Sequence, residues 1–207
     1  MTSALSGLVT ALDLLGIFVF GLSGGILAVR RQLDIFGVLV LASAAALAGG
    51  VARDLLIGAT PPAAVQDGRL VLVALAAGLT AFFLHRTIER LNRPVMVLDA
   101  IGLGLFAVVG CAKALAFGIN PLIATLLGVL TAVGGGVVRD LLVTEVPRVL
   151  REEIYALAAL VGAGIVALGA AFELPPGPVA VTGAVCATVL RIVSVQRGWR
   201  APRAPGG

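Results

Sequence analysis

One eight-residue block occurs twice in this chain. Gly49-Gly50-Val51-Ala52-Arg53-Asp54-Leu55-Leu56 returns as Gly135-Gly136-Val137-Val138-Arg139-Asp140-Leu141-Leu142, 86 residues later in a chain of 207. The same offset pairs Asp13 with Asp99, Gly16 with Gly102, Phe20 with Phe106, Gly24 with Gly110 and Pro61 with Pro147. From Asp13 to Pro61, 15 of 49 positions are identical to their mates without a gap. Chance matching between segments rich in Ala, Gly and Leu gives roughly one position in eight. It would not also set two such blocks in register. The chain is an internal duplication, and each half must adopt a fold that serves the other.

Both halves belong in lipid. Hydrophobic residues make up 59% of the chain and charged residues 13%, whereas soluble domains carry about 25% charge. A water-soluble globule of this size cannot hide so much apolar surface, and disorder is excluded on the same ground. The apolar runs are long and continuous, which suits helices of about 20 residues and not the alternating ten-residue strands of a barrel. The net charge of +4 comes from arginines scattered at the ends of those runs, a topology signal and not a nucleic-acid surface. Cys111 and Cys186 read as buried apolar positions without a CxxC pattern. The single histidine, His85, builds no metal site by itself. No phosphate-binding, dinucleotide-binding, nucleophile-elbow or zinc-protease motif is present, so no enzyme and no cofactor are expected.

Seven spans are read, near Leu8–Val29, Ile35–Ile57, Leu70–Leu84, Pro94–Phe117, Pro121–Val143, Ile154–Phe172 and Val179–Val195, the third short for a full crossing. The expected fold is an all-α integral membrane protein. A single domain covers residues 1–198, with three-helix repeats at about 8–85 and 94–172 and a seventh helix at about 178–195. Residues 199–207 form a flexible tail. With the N-terminus on one side, Arg30, Arg31, Arg86, Arg90, Arg93, Arg148, Arg151, Arg191, Arg197, Arg200 and Arg203 fall on the other, against Arg69 alone. This bias places the N-terminus outside and the C-terminus in the cytoplasm; an even number of spans would destroy it. Met1–Ser6 carries no Lys or Arg and the first run contains Asp13, so no removable signal peptide is expected. Trp199 and Tyr155 read as interfacial anchors, and the Gly21/Gly25 pair as a helix-packing feature.

A repeat of three spans is odd, so the second copy enters the membrane from the opposite side. The copies are then related by a two-fold axis in the membrane plane, an architecture of transport proteins. Ionisable residues inside the spans sharpen that reading, because each costs about 2.5–3.5 kcal/mol at a helix centre. They are Asp13, Arg53, Asp54, Asp99, Lys113, Arg139 and Asp140. Gly49 and Gly50, and Gly134, Gly135 and Gly136, either break their helices and free carbonyls or amides for a solute, or allow close helix packing. Asp13 and Asp99 either favour the positive ends of their helices or pair across the bundle with Arg53 or Arg139. Lys113, whose mate is Leu27, either snorkels to the outer surface or lines a path as a fixed positive charge.

The doubled G-G-V-x-R-D-L-L, each copy in the second span of a three-helix unit with a seventh helix following, resembles the prokaryotic branch of the trimeric intracellular cation (TRIC) channel family. Sequences of this kind also carry the label of putative glycine transporters. The resemblance covers roughly Asp13 to Val195. It implies a homotrimer among membrane lipids, with one pore per subunit between the repeats, bent at the glycines and passing K⁺ and Na⁺. On that basis the pathway comprises Gly49, Gly50, Arg53, Asp54, Gly134, Gly135, Gly136, Arg139, Asp140, Lys113, Asp13 and Asp99. A bacterial inner membrane suits the heavy use of Arg, Ala, Gly and Val. Two arginines in a cation path run against simple electrostatics; they are either neutralised by Asp54 and Asp140 or act as the gate. The competing readings are a carrier for glycine or another small zwitterion, and a non-transporting scaffold.

Overall fold

The computed structural model describes residues 3–88, 94–151 and 154–199. Nine helices are found among them: α1 (Ser3–Arg30), α2 (Ile35–Leu56), α3 (Ala63–Gln66), α4 (Gly68–Ile88), α5 (Pro94–Ala116), α6 (Pro121–Leu142), α7 (Arg148–Arg151), α8 (Ile154–Ala171) and α9 (Pro176–Arg197). Seven of these are long and apolar enough to cross a membrane, as expected. The third span is not short. α4 holds a 20-residue apolar stretch, Gly68–Thr87, because Gly68 and Arg69 join its first turn and His85 and Arg86 its last. Arg90, Arg93, Arg200 and Arg203 of the charge bias, and all of the tail but Trp199, lie outside the described residues.

The duplication extends into turns that share no sequence identity. Asp34 caps α2 by accepting from the Gly37 amide at 2.7 Å, and its mate Asn120 caps α6 by accepting from the Leu122 amide at 2.9 Å. Such caps satisfy amides that the first helical turn leaves unpaired. One turn earlier, Gln32 and its mate Gly118 both adopt left-handed backbone, with φ of 57° and 77°. After α2 and α6, Gly58 and its mate Thr144 do the same, with φ of 73° and 58°. Each motif is then followed by a one-turn helix, α3 or α7.

The two copies run antiparallel and meet on a two-fold axis. Phe20 of α1 stacks on its own mate, Phe106 of α5, with centroids 5.2 Å apart and planes within 8°. Gly16 lies against Phe106 and Gly102 against Phe20, so position rises along α1 as it falls along α5. The crossing of α2 and α6 has the same reciprocity. A Cβ on Gly49 would stand 2.1 Å from the Thr131 carbonyl oxygen, and one on Gly135 would stand 2.0 Å from that of Ala45. Only glycine permits this approach. Around the axis, α1, α2 and α4 pack as one unit and α5, α6 and α8 as the other, while α9 lies against α5 and α8. Gly21 and Gly25 seat α1 on Ala77 and Ala81 of α4, a packing role inside the chain. Large apolar side chains such as Phe36, Phe83, Leu126 and Phe172 stand exposed on the perimeter, where a bilayer solvates them.

The structure corrects three further expectations. Tyr155 is 2% exposed in the core and not an interfacial anchor. Cys111 is buried, but Cys186 is exposed on α9. Arg191 is a buried residue of α9, not a loop arginine.

Candidate functional site

Near the end where α1 begins, four charges from three helices converge. The last turn of α2 supplies Arg53 and Asp54, which are 2% and 1% exposed. The Arg53 side chain curls back so that Nε and Nη2 donate to Asp54 Oδ1 at 2.9 and 2.8 Å. The Ala63 amide, in the first turn of α3, donates to Asp54 Oδ2 at 2.9 Å. Lys113 Nζ, from the last turn of α5, lies 2.8 Å from Oδ1 and 2.9 Å from Oδ2. Lys113 therefore does not snorkel. It ties the second repeat to the motif of the first, with a quarter of its side chain still accessible. Asp13 of α1 shares with Arg53, Asp54 and Gly50 the lining of a cavity of about 20 Å³, room for about one water.

This cluster opens into a wider cavity. A vestibule of about 560 Å³ has Asp13, Lys113, Asp67 and Arg69 among its polar lining and apolar walls from α5, α8 and α9. Asp67 and Arg69 are paired at its rim at 2.7 Å. The hydrogen bonds from Arg69 hold the Asp67 carboxyl below the usual carboxylate range.

At the opposite end the second copy builds the related cluster. Arg139 is fully buried. Its Nε donates to Asp140 Oδ1 at 2.9 Å, and its Nη1 donates to Asp99 Oδ1 at 2.6 Å and to Ser23 Oγ at 2.8 Å. The Arg148 amide donates to Asp140 Oδ2 at 3.0 Å, as Ala63 does to Asp54. The expected pairing across helices is thus realised between Asp99 and Arg139. Asp13 and Arg53 share only the small cavity. Ser23 has Val109 as its mate, and Arg53 Nη1, which Val109 cannot serve, is buried without a hydrogen bond. Buried guanidinium groups persist only when paired in this way.

Two residues of this second cluster were missed in the sequence. The Tyr155 hydroxyl, the Asp99 carboxylate and Arg139 Nη2 converge over Gly136, at 3.0, 4.0 and 3.7 Å from where its Cβ would be. The Arg191 guanidinium of α9 lies over the Tyr155 ring at 4.7 Å, a cation–π contact. Neither sits in a repeated motif. The only available signal was an arginine four residues before the end of the apolar run Val179–Val195.

The glycines do not break their helices. α2 and α6 are continuous from Ile35 to Leu56 and from Pro121 to Leu142, so no carbonyls are freed there. Gly49, Gly134 and Gly135 serve the seam: Gly134 would place a Cβ 2.9 Å from Gly49 Cα. Gly50 faces only Arg53 Nη2, at 3.8 Å, and Gly136 faces the second cluster.

A family model described as glycine transporter matches residues 10–86 and again 96–171, once on each repeat. A UPF0126 membrane protein of Deinococcus radiodurans is 41% identical over 193 residues, covering 92% of this chain and 89% of that protein. The UPF0126 inner membrane protein YadS of Escherichia coli K12 is 38% identical over 198 residues, covering 94% and 95%. The crystal structure of the TRIC trimeric intracellular cation channel orthologue from Rhodobacter sphaeroides superposes with a TM-score of 0.86. It is 39% identical and covers 92% of this chain and 98% of that one. That neighbour is an ion channel and not an enzyme.

Proposed function

This chain belongs to the glycine-transporter family, which embraces the UPF0126 membrane proteins and TRIC channels, and on that premise we propose that it is a passive channel for monovalent cations, K⁺ and also Na⁺. One observation carries the reading. Two antiparallel repeats bury paired carboxylates and cations at both ends of a glycine seam, and the outer cluster opens to a vestibule. Carboxylates in a seam attract cations, and the pairing of each arginine with its own aspartate removes the electrostatic objection to arginines in the path. The chain acts as a homotrimer in a bacterial inner membrane, N-terminus outside, with one pore per subunit between α2 and α6. In this reading the seam closed on Gly49 and Gly135, with Lys113 on Asp54, is the shut state. Opening parts α2 from α6 at the glycine crossing and releases Lys113.

A second reading, a carrier for glycine, is favoured by one specific observation. A carboxylate beside a guanidinium and an ammonium complements a small zwitterion. Recording from purified protein in planar bilayers separates the two. Unitary currents that reverse at the K⁺ equilibrium potential are expected. Saturable uptake of labelled glycine without unitary current would establish the carrier instead, and neither signal would leave a scaffold.

A further inference from the structure

The two charged clusters are built by the same motif, yet the motif leaves each with a deficit. Each takes one aspartate from the first helix of a repeat and an Arg–Asp pair from the second, so two carboxylates face one guanidinium. At the outer cluster the fourth charge is Lys113. At the place related by the two-fold stands Leu27, a buried alkyl chain, so the repeat supplies no equivalent cation to the inner cluster. Arg191 does. It is 3% exposed, its guanidinium caps the Tyr155 ring, and the Tyr155 hydroxyl stands with Asp99 and Arg139 over Gly136. Arg148 contributes its amide to Asp140, and its side chain is half-buried.

We propose that Lys113 and Arg191 are the charge-balancing residues of the pathway: each neutralises one end, and together they determine that current flows equally well in both directions. The seventh helix, which has no mate in the repeat, thereby acquires a function in permeation. The physical reason is local concentration. A cluster with one uncompensated carboxylate draws cations to its own mouth, and supply from that side rises. Removing Lys113 makes the outer end net negative and favours flow from the outer face. Removing Arg191 does the same at the inner end and favours flow from the opposite face. This inference rests on the channel reading above.

The test is single-channel recording in giant spheroplast patches, where every channel keeps its biosynthetic orientation. The variants are Lys113→Met, Arg191→Met, Lys113→Arg and Arg191→Lys, in symmetric KCl. The two Met variants should rectify in opposite senses, each by about two-fold or more in current ratio at equal and opposite voltages. The two charge-keeping variants should match the wild type. A thiol toggle avoids any folding defect. Lys113→Cys in a Cys186→Ser background should rectify like Lys113→Met. It should lose that rectification when a methanethiosulfonate reagent adds an ethyl-trimethylammonium group, and keep it when the reagent adds a neutral methyl group. Rectification in the same sense for both Met variants, or none in any of them and no response to the charged reagent, overturns the proposal while leaving the channel intact. Absence of unitary current in the wild type overturns the channel reading itself.

Discussion

Gly49 and Gly50 are adjacent and chemically identical, yet alanine should have opposite effects at the two. A methyl on Gly49 would lie 2.1 Å from the Thr131 carbonyl oxygen and 3.3 Å from the Gly135 amide nitrogen. Carbon–oxygen contacts settle at about 3.3 Å or more, so α2 and α6 must part by roughly 1.2 Å. The obstacle is backbone inside a helix and cannot swing away. Overpacking of this kind costs about 1–3 kcal/mol, and we take the upper end. Alanine's better helix propensity returns about 1 kcal/mol, for a net loss of about 2 kcal/mol. A methyl on Gly50 meets only Arg53 Nη2, at 3.8 Å. That variant keeps the propensity gain and should be more stable by about 0.5–1 kcal/mol. The two should therefore differ by about 3 kcal/mol. Gly135→Ala should match Gly49→Ala, because its methyl would lie 2.0 Å from the Ala45 oxygen across the axis. The double variant should cost clearly less than the sum, since one parting of the helices relieves both clashes. Unfolding in mixed micelles, titrated with sodium dodecyl sulfate, measures these differences. Equal stability of Gly49→Ala and Gly50→Ala, or strict additivity of Gly49→Ala with Gly135→Ala, would refute the seam.

Asp99→Ala strips the fully buried Arg139 of one of its two carboxylates and should cost about 3–5 kcal/mol; the double variant Asp99→Leu/Arg139→Met should recover most of that in the same titration. Ser23→Val removes the hydroxyl that accepts from Arg139 Nη1 and should cost about 1–3 kcal/mol. At the related position Val109→Thr offers the orphaned Arg53 Nη1 an acceptor and should be neutral or stabilising. Thr144→Gly relieves a β-branched residue at φ 58° and should raise the unfolding free energy by about 1 kcal/mol. No change there would mean that the hydrogen bond from Thr144 Oγ1 to the Val143 carbonyl compensates the strain.

Much of the fold was legible because lipid leaves few options. Apolar runs of helical length, arginines at their ends and a repeat with an odd number of spans settle the number of helices and their antiparallel relation. The charged residues could likewise be named in advance, since intramembrane charges must find one another. What escaped depends on distances between helices. Gly49 and Gly50 read the same in sequence, and only the approach of α6 tells them apart. Arg191 looked like a loop residue because it stands near the end of its apolar run, and only the docking of α9 on α5 and α8 brings it to Tyr155. Tyr155 looked interfacial for the same reason, two residues after an acidic pair. The third span looked short because Gly68 and Arg69 read as loop, although nothing forbids a helix from beginning on them.

The stacking of Phe20 on its own mate has a consequence for how such a chain arises. A residue that touches its copy across an axis makes the same contact whether the copies are joined or separate. Two identical triple-helix subunits, inserted in opposite orientations, would thus already possess the aromatic stack and the reciprocal glycine–carbonyl contacts. Fusion adds to that homodimer the freedom to let the halves diverge, and Lys113, whose mate is Leu27, is one place where the divergence falls on a charge.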